Sequence, residues 1–465
     1  MQFAKTRWLR ALFLIGAYLL GALGIIATGG GNGDDDDEPA RSFGAPMLLE
    51  TNPGDARQPK IAMDSTGNAL VVWAQDNGTS YDIWANRYLE GGGWGIAELI
   101  ENETGDASNQ RLVVDVMGNG MVAWLQDNGT NVNLWSARYV MGTGWGTPEL
   151  VENEPGDASS PAIATGPLGN VIAVWSQNNG VRDSIWANFY SIGTGWSTPV
   201  MIESGSVDAI NPQVAMDPEG NAIVVWIRGD GVYKSIIWAK YYSSVTGWEA
   251  TEHMIASSEE RYSNFEARIG MDLAGNGMVV WASTSGDWWD GGMGAYASRY
   301  VQGSGWESWT RLSAERVAAY DPDIAMDSAG NMWAVWGDMT GIFSRYSFAI
   351  MANSYSVGMG WDEPEHIYIF ETYSPSYWDG PKTPEVVMFD SGEALCVHDS
   401  QDGDIVYNVY RYYVFGDSTY LGWDRREIID DGSEPDLAKG IADNAIVVYR
   451  NYDGAYTNIF ASRYE

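Results

Sequence analysis

One cysteine, Cys396, stands in 465 residues, so no intramolecular disulfide can form. With it go the paired-cysteine zinc motifs and the CxxCH haem attachment site. The three histidines, His253, His366 and His398, are far apart in the chain and at no metal-ligand spacing. Basic residues are few: 26 Lys and Arg stand against 62 Asp and Glu, a formal net charge of −36. A polyanion of this kind repels nucleic acid and anionic lipid, so neither is expected as a partner. No segment matches the calcium loop D-x-[DN]-x-[DN]-G, and no phosphate-binding glycine loop or Ser/His/Asp set stands out. No stretch carries the 3.6-residue apolar period of an amphipathic helix, which excludes a helical solenoid. No cofactor and no metal are expected.

What is abundant is glycine (55 residues) and aromatic side chains (13%), a composition that suits many short strands joined by tight turns. The N-terminus reads as an export signal, with Lys5, Arg7 and Arg10 ahead of an apolar stretch, Ala11 to Ile26, and small residues at Ala27-Thr28-Gly29. An uncleaved membrane anchor is the alternative. The context resembles a bacterial lipoprotein signal, but Gly29, Gly30 and Gly31 stand where the lipidated cysteine belongs, so export without lipidation is expected. The expected division is a signal over 1–29, a Gly/Asp-rich tether over 30–42 and one repeat domain over 43–465. The destination is the periplasm, the cell surface or the medium.

Three columns define the repeat. A Gly-Asn turn ends at Asn68, Asn119, Asn170, Asn221, Asn276 and Asn331; five residues later stand Trp73, Trp124, Trp175, Trp226, Trp281 and Trp336. A Gly-Trp pair then places Trp94, Trp145, Trp196, Trp248, Trp306, Trp361 and Trp423. The first three units keep a spacing of 51 residues. In the seventh unit His398 occupies the tryptophan column, and in the eighth Tyr449 does. Each unit reads as four strands, in blade one Pro59 to Met63, Ala69 to Trp73, Asp82 to Tyr88 and Ile96 to Ile100, with a turn at Asp64–Asn68. Four antiparallel strands at this period form a propeller blade. The last unit ends after its third strand, Asn458 to Tyr464, while Phe43 to Glu50 parallels the fourth-strand segment Trp145 to Glu152. An all-β, eight-bladed propeller closed by its N-terminal strand is therefore expected, with seven blades as the alternative count.

Pro212-Gln213-Val214-Ala215-Met216-Asp217, followed by Gly220-Asn221-Ala222-Ile223-Val224-Val225, resembles the repeat of NHL propellers. The unit as a whole is similar to sialidase-like propeller repeats, although the Asp-box pattern is missing. The Gly-Trp ending is similar to that of fungal fucose-binding propeller lectins. The resemblance implies the propeller architecture and a carbohydrate-binding class of neighbour, not a shared activity.

Residues that repeat in every unit are first explained by packing. A tryptophan ring removes roughly 150–250 Å² from water when buried. The turn aspartates Asp64, Asp115, Asp217, Asp272 and Asp327 are expected to cap their hairpins. The arginine column Arg87, Arg138, Arg299 and Arg463 rings the propeller and does not converge as a carboxylate clamp would. What breaks the repeat carries more information. Of the 23 tryptophans, Trp8 lies in the signal, and Trp288, Trp289, Trp309, Trp333 and Trp378 fall outside the columns, all in blades five to seven. The distance from the second-strand tryptophan to the third-strand aromatic column is 11 residues in blade one but 15 from Trp281 to Tyr296 and 15 from Trp336 to Met351. Loops over a rigid scaffold are where binding residues concentrate. The expected ligand surface is therefore Trp288, Trp289 and Trp378 as stacking platforms, with Asp287, Asp290 and Asp379 beside them and Tyr373, Tyr377, Phe343 and Tyr346 widening the shelf. The function expected is a non-catalytic binding or scaffold propeller for a glycan, a peptide or an envelope protein. The alternative is a glycoside hydrolase or lyase drawing its carboxylates from Asp287, Asp290, Glu259 or Asp379.

Overall fold

The computed structural model describes residues 41–465 apart from 51, 102, 230–234, 258–264, 284–293, 316, 343–344, 373–382, 401, 416–417, 425–426 and 441–442. Phe43–Glu465 forms one compact unit of eight antiparallel sheets, each built from consecutive strands in simple up-and-down order. Blade one shows the pattern, with an inner strand Ala56–Met63, a second strand Ala69–Asp76, a third strand Tyr81–Leu89 and an outer edge. The expected fourth strand, Ile96 to Ile100, is broken into two short pieces. Gly93–Trp94 and Glu98–Leu99 both pair with the third strand; Trp94 stands opposite Tyr88 with its ring edge-on, and the chain leaves the ladder between the two pieces.

The ring closes as the parallel between Phe43–Glu50 and Trp145–Glu152 predicts. Met47 pairs with Ala461 and Leu48 with Phe460, and Phe43 bridges Tyr464. Leu49 N–H donates to Ile459 O at 2.9 Å and Gly44 N–H to Arg463 O at 2.8 Å. This strand completes blade eight and covers an edge that would otherwise be free to pair with another chain.

The core is not central. It consists of apolar layers between neighbouring blades, for example Trp73 and Val71 of blade one with Ile446 and Val448 of blade eight, or Trp226 and Val224 of blade four with Ile172 and Val174 of blade three. The second strands are therefore buried on both faces, which is why Ala69–Asp76 reads as a continuous apolar run. The links between blades turn tightly. At Gly105 (φ +101°) a Cβ would stand 1.6 Å from Asp127 O, so only glycine fits. The blade-six insertion extends its second hairpin, Met332–Ile342 pairing with Arg345–Ser356.

Candidate functional site

Asp287, Trp288, Trp289, Asp290, Phe343, Tyr373, Tyr377, Trp378 and Asp379 lie outside the described residues, as does Glu259. Tyr346 lies in the third strand of blade six, paired with Gly341 and Thr372. Of the other two tryptophans outside the columns, Trp333 is a packing residue. It is buried between blades six and seven, its ring 4.4 Å from Tyr410 and edge-on to Trp423 at 5.2 Å. Trp309 is 53% exposed and stands edge-on to Tyr296 at 5.5 Å.

The repeated columns are committed to the scaffold. Trp73 Nε1–H donates to Gln75 Oε1 at 2.9 Å, and Gln75 Nε2 donates in turn to Gly54 O at 2.7 Å, tying the second strand to the link before it. Trp124–Gln126–Gly105 and Trp175–Gln177–Gly156 repeat the latch. Blade four has Arg228 in place of the glutamine. An arginine cannot accept, and among the described residues Trp226 Nε1 has no partner. The turn aspartates cap as expected: Asp64 Oδ1 accepts from Thr66 N and Asn68 N, and Asp115, Asp217, Asp272 and Asp327 do the same for their asparagines. The column arginines reach the next blade, Arg138 lying 5.3 Å over Tyr190 and Arg463 5.2 Å over Tyr88. His398 is buried beside Tyr368, with Nδ1 2.9 Å from Asp399 O.

The axis is different. The inner strands pack on one another around it, and each offers one unpaired backbone edge to the channel. Near the start of the strand, a residue with left-handed backbone recurs: Gln58 (φ 55°), Asn109 (φ 53°), Ser160 (φ 49°), Asn211 (φ 52°), Asp321 (φ 44°), Thr383 (φ 48°) and Glu434 (φ 54°). Each sits at a break in register with its second strand, as between Arg57 and Lys60 or between Tyr320 and Asp323, wherever that break is seen. The bulge turns an N–H out of the ladder, and the neighbouring blade supplies the acceptor. Gln58 N–H donates to Glu434 Oε2 at 3.2 Å, Asn109 N–H to Gln58 Oε1 at 3.0 Å, Asp321 N–H to Glu266 Oε2 at 3.0 Å and Thr383 N–H to Asp321 Oδ2 at 3.3 Å. Side chains thus link one blade to the next around the channel mouth. Partial desolvation at the channel mouth and the adjacent Asp321 push the carboxyl of Glu266, which keeps contact with solvent, up to about 7.

Two residues further along lies a ring of unlike residues: Lys60, Arg111, Ala162, Gln213, Arg268, Asp323, Glu385 and Asp436. Lys60 of blade one ion-pairs with Asp436 of blade eight, and Asp436 Oδ2 also accepts Ile61 N–H at 2.7 Å. Asp323 Oδ2 accepts Val386 N–H of the next blade at 2.9 Å. These carboxylates satisfy the open strand edges that face the axis. The charges act on one another across the lumen. Burial and Arg268 push the Arg111 guanidinium down. Burial, together with Asp323 and Asp436, pushes the Glu385 carboxyl well above its ordinary range. Asp323 is raised to about 6, chiefly by burial. Sequence reading missed this ring. The signal was a charge recurring at one position of an otherwise apolar strand, as in Pro59-Lys60-Ile61 and Pro322-Asp323-Ile324. Among the described residues no group of three or more His, Cys, Asp or Glu is placed to hold a metal ion.

No protein-family model and no curated protein matches the chain. Solved structures do. One is a protein of unknown function from Dyadobacter fermentans, at 12% identity and a TM-score of 0.42, covering 92% of this chain and 99% of that one. Another is the intramolecular trans-sialidase from Ruminococcus gnavus, at 11% identity and a TM-score of 0.43, covering 78% and 95%. A third is an ulvan lyase of polysaccharide lyase family PL25, at 10% identity and a TM-score of 0.45, covering 83% and 95%. The fold assignment rests on the chain's own strand pairing, eight four-stranded antiparallel blades in a ring.

Proposed function

We propose that the protein is an exported, non-catalytic binding propeller whose ligand is a glycan, a peptide or an envelope protein. One observation carries this reading. Six of the eight units keep the second-strand tryptophan and five the capping aspartate, yet the units differ at the position facing the axis, where Lys, Arg, Ala, Gln, Asp and Glu replace one another. A scaffold needs only the first set; divergence at the lumen and in the loops of blades five to seven is what a recognition surface requires. The strand starts that form the channel mouth stand at the same end of the blade as the turns between second and third strands, since Asp76 N–H bonds Asp55 O at 2.9 Å. Trp288, Trp289 and Trp378 are proposed as stacking platforms at that end. Asp287, Asp290 and Asp379 are acceptors next to them in the chain. A flat ring beside an acceptor suits a sugar, which offers a C–H face and hydroxyls. The periplasm, the cell surface or the medium is the proposed destination.

The rival is a glycoside hydrolase or lyase. It is favoured by Glu266, whose carboxyl titrates near neutrality against Asp321, the range in which a carboxyl transfers protons at neutral pH. A glycan-array screen of the purified protein, followed by a reducing-end assay on each glycan retained, separates the two. Saturable binding without new reducing ends supports the binding reading, and turnover that is lost in Glu266→Gln overturns it.

A further inference from the structure

We propose that the central channel holds a small oxyanion between Arg111 and Arg268. The proposal stands on the channel alone and does not depend on the reading of the loops above.

Arg111 of blade two and Arg268 of blade five occupy the same place on their inner strands, three blades apart around the ring. Each commits one N–H to its own strand: Arg111 Nη1 donates to Gln110 O at 3.0 Å and Arg268 Nη1 to Ala267 O at 3.2 Å. A guanidinium carries five N–H donors, so most of each fork is unspent. Among the described residues neither arginine has a carboxylate within ion-pairing distance. Elsewhere in the molecule arginines in comparable settings do: Arg182 and Arg228 both pair with Glu203, at 2.5 and 3.5 Å, and Arg228 also with Glu252 at 2.6 Å.

The ring positions between the two arginines carry no charge. Between the two arginines the ring offers only Ala162 and Gln213, and Ala162 packs with Ile172 and Val174 instead of reaching inward. On the far side Asp436 is engaged by Lys60 and by Ile61 N–H, and Asp323 by Val386 N–H. Burial and both aspartates push the Glu385 carboxyl well above its ordinary range. Arg111 and Arg268 repel each other in a partly desolvated channel, and the carboxylates that act on them, Asp436 and Glu385 on Arg111 and Asp323 and Glu385 on Arg268, do so without forming an ion pair, so bringing the two cations together carries a cost. An oxygen anion with two or more acceptor atoms removes that cost and matches the planar donor fork. The ligand class is a carboxylate, sulfate or phosphate group, free or carried at the end of a larger molecule slim enough to enter the lumen. The net charge of −36 works against any anion at long range, so occupancy requires these local donors.

The test is isothermal titration of the full-length protein with sodium sulfate, phosphate and acetate, each against sodium chloride at matched ionic strength. The proteins compared are wild type, Arg111→Gln, Arg268→Gln and the charge-preserving Arg111→Lys. Wild type is expected to give a saturable heat with at least one of the three anions. Both glutamine variants should weaken it by about tenfold or more, and Arg111→Lys should also weaken it, because the charge remains but the fork is lost. Preference for acetate points to a carboxylate ligand, and preference for sulfate or phosphate to an ester of either; both support the site. Melting temperatures in chloride control for folding. Saturable heat that survives in both glutamine variants, or no saturable heat with any of the three anions in wild type, overturns the proposal.

Discussion

Lys60 and Asp436, 376 residues apart in the chain, form an ion pair across the seam between blades one and eight. The same carboxylate holds Ile61 N–H at 2.7 Å, so one side chain from the last blade satisfies both a charge and a strand edge of the first. Asp436→Ala would leave a half-buried ammonium and an orphaned N–H. A loss of roughly 2–3 kcal/mol is expected, below the figure for a fully buried pair because Lys60 keeps some solvent. Asp436→Asn, which can still accept from Ile61, should lose less. Urea midpoints of the two variants check the order.

Closure of the ring by its first strand gives the second expectation. Leu49 is buried at the seam, and Asn86 Nδ2 donates to its carbonyl at 2.8 Å. Removing residues 43–50 exposes the third strand of blade eight, Thr457–Tyr464, as a bare edge. A lower melting temperature and concentration-dependent aggregation by light scattering are expected. An unchanged melting temperature would show that blade eight does not need this strand.

The buried link glutamates set a pH dependence. Glu50 is raised to about 7 by burial, and its Oε1 has no hydrogen-bond partner. Glu101 and Glu152 are raised to about 7 for the same reason. A carboxyl whose folded pKa lies above its unfolded one binds its proton more tightly in the native state. Stability is then fullest below the unfolded value, near 4.5, and declines as pH rises towards 7. Glu50→Gln keeps the acceptor for Asn52 N–H and removes the titration. The variant should be more stable than wild type at pH 8 by roughly 1–3 kcal/mol and nearly equal to it at pH 4. Thermal melts across that range decide it.

The tryptophans should fall into two classes. Trp124 is fully buried and bonded to Gln126; Trp124→Ala should cost roughly 3–5 kcal/mol. Trp333→Ala belongs in the same class, since its ring fills the layer between blades six and seven. Trp288→Ala combined with Trp289→Ala should change stability by no more than about 0.5 kcal/mol while abolishing ligand retention on the array. A double variant that unfolds as readily as Trp124→Ala would assign those rings to packing and remove the loop surface from the binding proposal.

Much of the architecture was legible because its signals are local. Asp64 and Asn68 define a hairpin within five residues, Ala69–Trp73 declares a doubly buried strand by having no polar alternate, and the parallel between Phe43–Glu50 and Trp145–Glu152 announces the missing strand of blade eight. Trp333 was less legible. It stands outside the repeating columns, as the loop tryptophans do, and only its position between Tyr410 and Trp423 marks it as core. The broken outer strand also escaped: Gly93–Trp94 already pairs with the third strand, opposite Leu89 and Tyr88, ahead of the expected Ile96 to Ile100.

By itself the sequence determined the three inner strands of a blade, the turns and the closing partner, since each depends on side-chain period and turn chemistry over a few residues; the choice of eight blades over seven came with the strand pairing. Tertiary structure alone decided the chemistry of the axis. Lys60, Arg111, Arg268, Asp323, Glu385 and Asp436 come from six blades, and nothing in any one repeat says which charge it will face. Only when the ring shuts do these side chains share one lumen, where Lys60 finds Asp436, the Glu385 carboxyl is pushed well above its ordinary range, and Arg111 and Arg268 are left without a carboxylate within ion-pairing reach among the described residues.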